Sequence, residues 1–272
     1  MRAWLRWCLP GGGLAMLGIG LACAASGRAA APEATPSVPT RFGGSAFLIG
    51  PGRMVTNTHV VLRCRLEGRG VAVEGLPGPW RVLAEDPGTD LALLAGPAAG
   101  EAALALSAAP RLPRGLPVLV LGYPANQPGH RPQASAGTLR HATLTVHDPE
   151  GGHAVSFVMT DRQGREVEPG WEDGLRYFGA AQAERLRWRL EIAAPASGGS
   201  SGGPVLDAAG NVVGVVYAGG AGGTSAVPLT DLRDFLARSG VAPRLQAPAS
   251  GGTPDWRAVQ EQVADAIRRV TC

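Results

Sequence analysis

Glycine and proline interrupt this chain so often that no long helix can persist through most of it. The 272 residues include Gly 40 and Pro 23, and only 17% are charged. Glycine and proline inside a helix cost about 1 and about 3 kcal/mol relative to alanine. Between the breaks lie short apolar runs, at residues 46–49, 71–73, 91–94, 118–121, 205–206 and 212–216. Runs of this length, bounded by turn residues, read as strands, and their succession reads as an all-β protein. The length, with 45% hydrophobic residues, is enough for one sizeable core.

The first 25 residues have the form of a signal peptide: Arg2 and Arg6, an apolar run over 9–25, and small residues Ala22, Ala24 and Ala25 for cleavage. Pro10 and the glycines at 11–13 break the run, which falls short of the roughly 20 residues of a spanning helix, so no transmembrane span is expected. The mature chain is expected in the periplasm or outside the cell. Cys23 offers a lipid anchor as the competing reading, against which Gly20 stands where a large aliphatic residue is usual. Loss of Arg2 and Arg6 takes the formal net charge from +3 to +1, which gives no reason to expect a nucleic-acid partner.

Residues 26–40 read as a flexible leader, 41–124 as a first strand series, and 125–240 as a second. An insertion of mixed, charged texture spans about 147–189, with a helix-compatible stretch at 180–190. Residues 241–272 read as a linker and a final helix over 254–270, whose Trp256, Val259, Val263, Ile267 and Val270 keep helical spacing. That stripe has to be buried, either on the protein's own body or against a partner.

The residues that carry chemistry lie in three places. Gly199-Ser200-Ser201-Gly202-Gly203-Pro204 sets a serine among glycines just before an apolar run. A nucleophilic serine needs an exposed tight turn and backbone N–H groups aimed at the developing oxyanion, and glycine permits both. This points to Ser201 as nucleophile, with the N–H groups of Gly199 and Ser201 as oxyanion donors. A nucleophilic serine also needs a base, and Thr56-Asn57-Thr58-His59 places a histidine directly after a strand-like run. Asp90, at the mouth of the apolar run 91–94, would fix the imidazole tautomer. Asp86, in an Asp-Pro-Gly turn, competes for that role. The order His, Asp, Ser is that of chymotrypsin-type barrels and differs from that of α/β-hydrolases.

The segments GGSAFLIGPGRMVTNTHVV, DPGTDLALL, VLVLGYPAN and GGSSGGPVLDAAGNVVGVVYAGGAGGTSAVPLTDL resemble the protease domain of HtrA/Deg-type trypsin-like peptidases over most of residues 43–236. The resemblance implies a chymotrypsin-like double β-barrel of two six-stranded barrels, with His59, Asp90 and Ser201 in the cleft between them. It also implies cleavage of extended or partly unfolded protein segments. The residues after Val241 are too few for the PDZ domain that many such proteins carry, so none is expected, and the insertion has no matching counterpart. By the same resemblance Pro195 would floor the primary specificity pocket, with Tyr217, Ala218 and Gly219 along its wall. No acid stands at that floor, so small or medium apolar side chains are expected before the scissile bond.

With Cys8 and Cys23 in or beside the signal peptide, Cys64 and Cys272 are left as a candidate disulfide, or as a buried thiol and a free chain-end thiol. His130, His141, His147 and His153 follow no ligand spacing, so no metal and no other cofactor is expected. Two readings compete with a serine endopeptidase: a catalytically silent, protease-shaped binding or regulatory protein, and a serine esterase. The first would show a lost triad or oxyanion residue, and none is lost.

Overall fold

Two curled, mainly antiparallel sheets organise the computed structural model. It describes residues 43–98, 102–125, 129–146, 155–157, 159–160, 162–163, 165–167, 186–249 and 251–272. The first sheet is built from β1 (Gly43–Gly50), β2 (Arg53–Thr56), β3 (Ala72–Val73), β4 (Arg81–Asp86), β5 (Leu91–Ala95) and a strand from the far end of the chain. Helix α1 (Thr58–Leu66) follows β2. The second sheet uses β6 (Leu106–Ser107), β7 (Pro117–Gly122), β8 (Gln133–Val146), β9 (Val155–Phe157), β12 (Leu186–Ile192), β13 (Pro204–Leu206), β14 (Val212–Gly220), β15 (Gly223–Pro228) and β16 (Leu245–Gln246). The short strands β10 (Met159–Thr160) and β11 (Glu166–Val167) pair with each other. Helix α2 (Leu229–Arg238) packs beside β14 and β15. The chain ends with α3 (Trp256–Val263) and β17 (Ile267–Thr271).

The pairings follow the chymotrypsin-like plan. In the second sheet the order β13-β7-β8-β12-β15-β14 closes on itself through the β13–β14 pairing, giving a six-stranded barrel to which β6, β16 and β9 are added. In the first sheet the order is β3-β17-β1-β2-β5-β4. Its inner strand β5, Leu-Ala-Leu-Leu-Ala, has its first four residues fully buried, which fits a strand covered on both faces. Phe47, Met54, Leu91, Leu93 and Leu94 of this sheet share one continuous apolar cluster with Leu119, Leu121, Leu206, Val215 and Val227 of the other. The two sheets thus have side chains packed to each other, so residues brought together from both cannot drift independently.

Two expectations are corrected. The helix expected to run to Val270 stops at Val263; residues 264–266 tighten into a single 3-10 turn and 267–271 become a strand. Ile267 and Val270 are buried, and what decides is the partner: β1 offers the β-branched residues Ile267, Val270 and Thr271 an antiparallel ladder, and β3 offers one to Val270 and Thr271. The helix-compatible stretch 180–190 also gives way, since Leu186–Ile192 is a strand paired along β8. Its first half, like most of the insertion at 147–189, lies outside the described residues. Cys272 follows β17, which brings it to Cys64 on α1, and the two are joined by a disulfide.

Candidate active site

The imidazole is set by three consecutive side chains that reach inward. Thr56 Oγ1 donates to the Ser45 carbonyl at 2.7 Å, Asn57 Nδ2 to the Asp90 carbonyl at 2.9 Å and Thr58 Oγ1 to the Leu91 carbonyl at 2.9 Å. His59 is thereby held in the first turn of α1, over the start of β5. Its backbone N–H donates to Asp90 Oδ1 at 3.0 Å, and its Nδ1 lies 2.7 Å from Asp90 Oδ2. An ionised carboxylate can only accept, so Nδ1 carries the proton and Nε2 is left as an acceptor. The aspartate side chain is buried at 5% exposure while the imidazole keeps 46%, so one end of the pair is fixed and the other faces the cleft.

Asp90 holds this position at a φ of 65°, in the left-handed region that side chains other than glycine's seldom occupy. The bonds it receives from Asn57, Thr58 and His59 sustain that conformation. Asp86 has a different task. Its Oδ1 accepts from the N–H groups of Gly88 and Thr89, which shapes the turn leading to Asp90.

Ser201 comes from the loop between β12 and β13. Among the described residues its hydroxyl donates to the Tyr217 carbonyl at 3.1 Å, and the Tyr217 ring meets the His59 ring edge-on with centroids 6.2 Å apart. The loop is locked to the first sheet: Ser45 N–H donates to the Ser201 carbonyl and Ser45 Oγ to the Gly199 carbonyl, both at 2.8 Å. Glycine at 202 is obligatory, because φ is +83° and a Cβ there would collide with the Ser45 carbonyl and Thr56 Oγ1.

Two peptide orientations decide what this loop offers. The Gly198 carbonyl accepts from Ala125 N–H at 2.7 Å and the Ser200 carbonyl from Gly203 N–H at 2.9 Å. In a trans peptide the carbonyl and the following N–H point in opposite directions. The N–H groups of Gly199 and Ser201 therefore turn away from those partners, and among the described residues neither donates to a protein acceptor. Two unspent amide donors beside a hydroxyl can receive a negative oxygen that develops during attack on a carbonyl.

The pocket residues expected from sequence separate into two groups. Gly219 stands against Ala196, so close that a Cβ at 219 would overlap the alanine side chain. Tyr217 is half-buried, and Ala218 and Gly219 are exposed. Pro195 is exposed and lines a recess of about 220 Å3 together with Gly122, Gln133, Ser135, Ser197 and Ser200, a recess to which 217–219 do not contribute. Among the described residues no group of three or more His, Cys, Asp or Glu is arranged to hold a metal ion. His130 lies 3.2 Å from Glu74, while His147 and His153 fall outside the described residues. No described helix is long and apolar enough to cross a membrane.

Sequence reasoning missed Ser45 and Asn57 as parts of the site's frame, and gave Tyr217 a place only along the pocket wall. Only Asn57, adjacent to the histidine, carried a local signal.

Known proteins agree with this architecture. Residues 44–215 match the trypsin-like peptidase domain. No curated protein sequence matches the chain. The active form of the Rv3671c protease from M. tuberculosis is 26% identical, with a TM-score of 0.50 over 76% of this chain and 77% of that one. Its inactive form is 26% identical, with a TM-score of 0.50 over 73% of this chain and 84% of that one. The HtrA-type protease AlgW, solved with a decapeptide, is 20% identical with a TM-score of 0.49, over 72% of this chain and 51% of that one. A match that spans well over half of the sequence, on a fold of two packed β-sheets, places this chain in the trypsin-like peptidase family, as a serine endopeptidase.

Proposed function

We propose that the enzyme cleaves extended or partly unfolded protein segments through a nucleophilic Ser201, with His59 as general base and Asp90 holding the imidazole. The N–H groups of Gly199 and Ser201 would receive the oxyanion. The observation that carries the reading is the 2.7 Å contact between His59 Nδ1 and Asp90 Oδ2, with the Ser201 hydroxyl bonded to the backbone of the residue whose ring touches that histidine. On substrate binding the hydroxyl passes from the Tyr217 carbonyl to His59 Nε2, which takes its proton as Oγ attacks. The proton then goes to the leaving amine, and water repeats the sequence on the acyl-enzyme.

An extended substrate is supported by β14. Its strand pairing with β13 ends at Val215, so among the described residues 218–220 pair with β15 on one side and with no strand on the other. An extended peptide adds to such an edge by main-chain hydrogen bonds. The contact of Gly219 with Ala196 leaves little depth for the side chain before the scissile bond, which favours small apolar residues there. Export to an oxidising compartment is supported by the disulfide between Cys64 and Cys272.

The test is fluorophosphonate labelling and casein hydrolysis by wild type and Ser201→Ala, with cleavage sites read from a peptide library. Labelling that survives Ser201→Ala, or strict cleavage after arginine, would overturn the corresponding part of the proposal. Loss of the nucleophile is expected to lower kcat by about 10^4- to 10^6-fold.

A further inference from the structure

The turn that presents Asp90 belongs to the first sheet, but the second holds it from behind. From β12, Arg187 Nε donates to the Gly88 carbonyl at 2.7 Å, and an Arg189 guanidinium nitrogen lies 3.5 Å from the Thr89 carbonyl. From the end of α2, Arg238 pairs with Asp86 at 2.6 Å. Arg187 and Arg189 stand two apart on a strand, so both point to the same side.

Arg189 is the unexpected member. It is 1% exposed, it spends one donor on the carbonyl of its own neighbour Trp188, and among the described residues its Nε has no hydrogen-bond partner. A cation so buried and so sparsely bonded is worse for stability than an apolar side chain of similar length, so the fold alone gives no reason for it. Its surroundings supply one. The guanidinium lies 4.4 Å over the Tyr217 ring, whose edge meets His59 and whose carbonyl takes the Ser201 hydroxyl. The charged and titratable groups around it are Tyr217, Asp90, Asp231 and Arg187.

We propose that Arg189 is a positioning residue of the triad: its guanidinium binds the face of Tyr217 and the back of the Thr89-Asp90 turn, and so sets aspartate, histidine and serine relative to one another across the two sheets. The inference rests on the reading of His59, Asp90 and Ser201 given above. Arginine suits the role where lysine does not, because a planar guanidinium can lie flat on a ring while its edge reaches a carbonyl.

The experiment measures the second-order rate of fluorophosphonate acylation, together with kcat and KM on a peptide substrate, for wild type, R189M and R189K. Circular dichroism and thermal melting serve as controls for folding. R189M is expected to lower the acylation rate and kcat by about 10- to 100-fold, the scale of a slightly misplaced catalytic group, with KM within about threefold of wild type. R189K keeps the buried charge and loses the flat contact, so it is expected to melt near wild type yet acylate about tenfold more slowly. A folded R189M that acylates as fast as wild type overturns the proposal. Should R189M fail to fold, a folded R189K with unchanged acylation overturns it equally. Wild type that does not label at all would instead remove the triad reading, so the two failures are told apart.

Discussion

Replacing Ser45 by alanine removes one oxygen atom and should damage both stability and turnover. Ser45 is fully buried; its Oγ donates to the Gly199 carbonyl and accepts from Tyr123 N–H, each at 2.8 Å. Alanine leaves both groups without that partner, and a buried polar group left unpaired costs about 1–3 kcal/mol. Tyr123 is buried and bears the upper part of that range, whereas Gly199 is partly exposed and can recruit water. The sum is about 2–4 kcal/mol. With a urea dependence of about 1–3 kcal/mol per molar, the midpoint should fall by about 1–2 M, measured by tryptophan fluorescence in a Ser201→Ala background that prevents self-cleavage. In the Ser201 enzyme, kcat should drop by about tenfold or more, because loss of an oxyanion donor altogether costs about 10^2- to 10^3-fold and here the donor is only loosened. KM should change little. A midpoint within about 0.3 M of the parent, with kcat within about twofold, would refute the argument that Ser45 ties the nucleophile loop to the first sheet.

Two further outcomes follow from the same structure. The disulfide closes a separation of 208 residues, for which the chain-entropy relation gives about 5 kcal/mol, so Cys64→Ala/Cys272→Ala should lose about 3–5 kcal/mol in urea unfolding; an unchanged midpoint would contradict this. Burial raises the Glu191 carboxyl above its ordinary value, and the hydrogen bonds from Ser225 and Thr143, which act the other way, do not cancel it. The folded state therefore holds a proton that the unfolded state releases, so this residue's contribution is most favourable below about pH 4.5 and declines as pH rises through the folded value. Glu191→Gln should flatten that part of the stability-pH curve, and a variant with the parent's slope would show that the group titrates normally.

The all-β architecture was legible because glycine and proline leave little else open, and because the strand runs are short and apolar. The candidate site was legible where its residues sit in contiguous motifs. Thr56–His59 carries both the imidazole and the side chains that grip the Asp90 turn, and Gly199–Gly203 carries both the hydroxyl and the backbone freedom around it. Its frame was hidden. Ser45 and Arg189 act on partners a hundred or more residues away through backbone atoms, and such contacts leave no pattern in the local sequence. The end of α3 was misjudged for a related reason: Val263, Ile267 and Val270 fit a helical stripe, while the strands that claim 267–271 begin at Gly43 and Ala72, at the other end of the domain. Pro195 was placed by the resemblance, and the recess it lines does not include 217–219.

The position of β17 governs when this protease can come into being. Gly43 pairs with Thr271, so an inner strand of the amino-terminal sheet is supplied by residues that follow the whole second sheet along the chain. The two halves cannot mature one after the other, as separate domains usually do during synthesis. Pairings of such long sequence separation also form slowly. A nascent chain is thus kept from completing its first sheet until β17 has been made, and removal of β17 would take an inner strand out of that sheet rather than fray an edge.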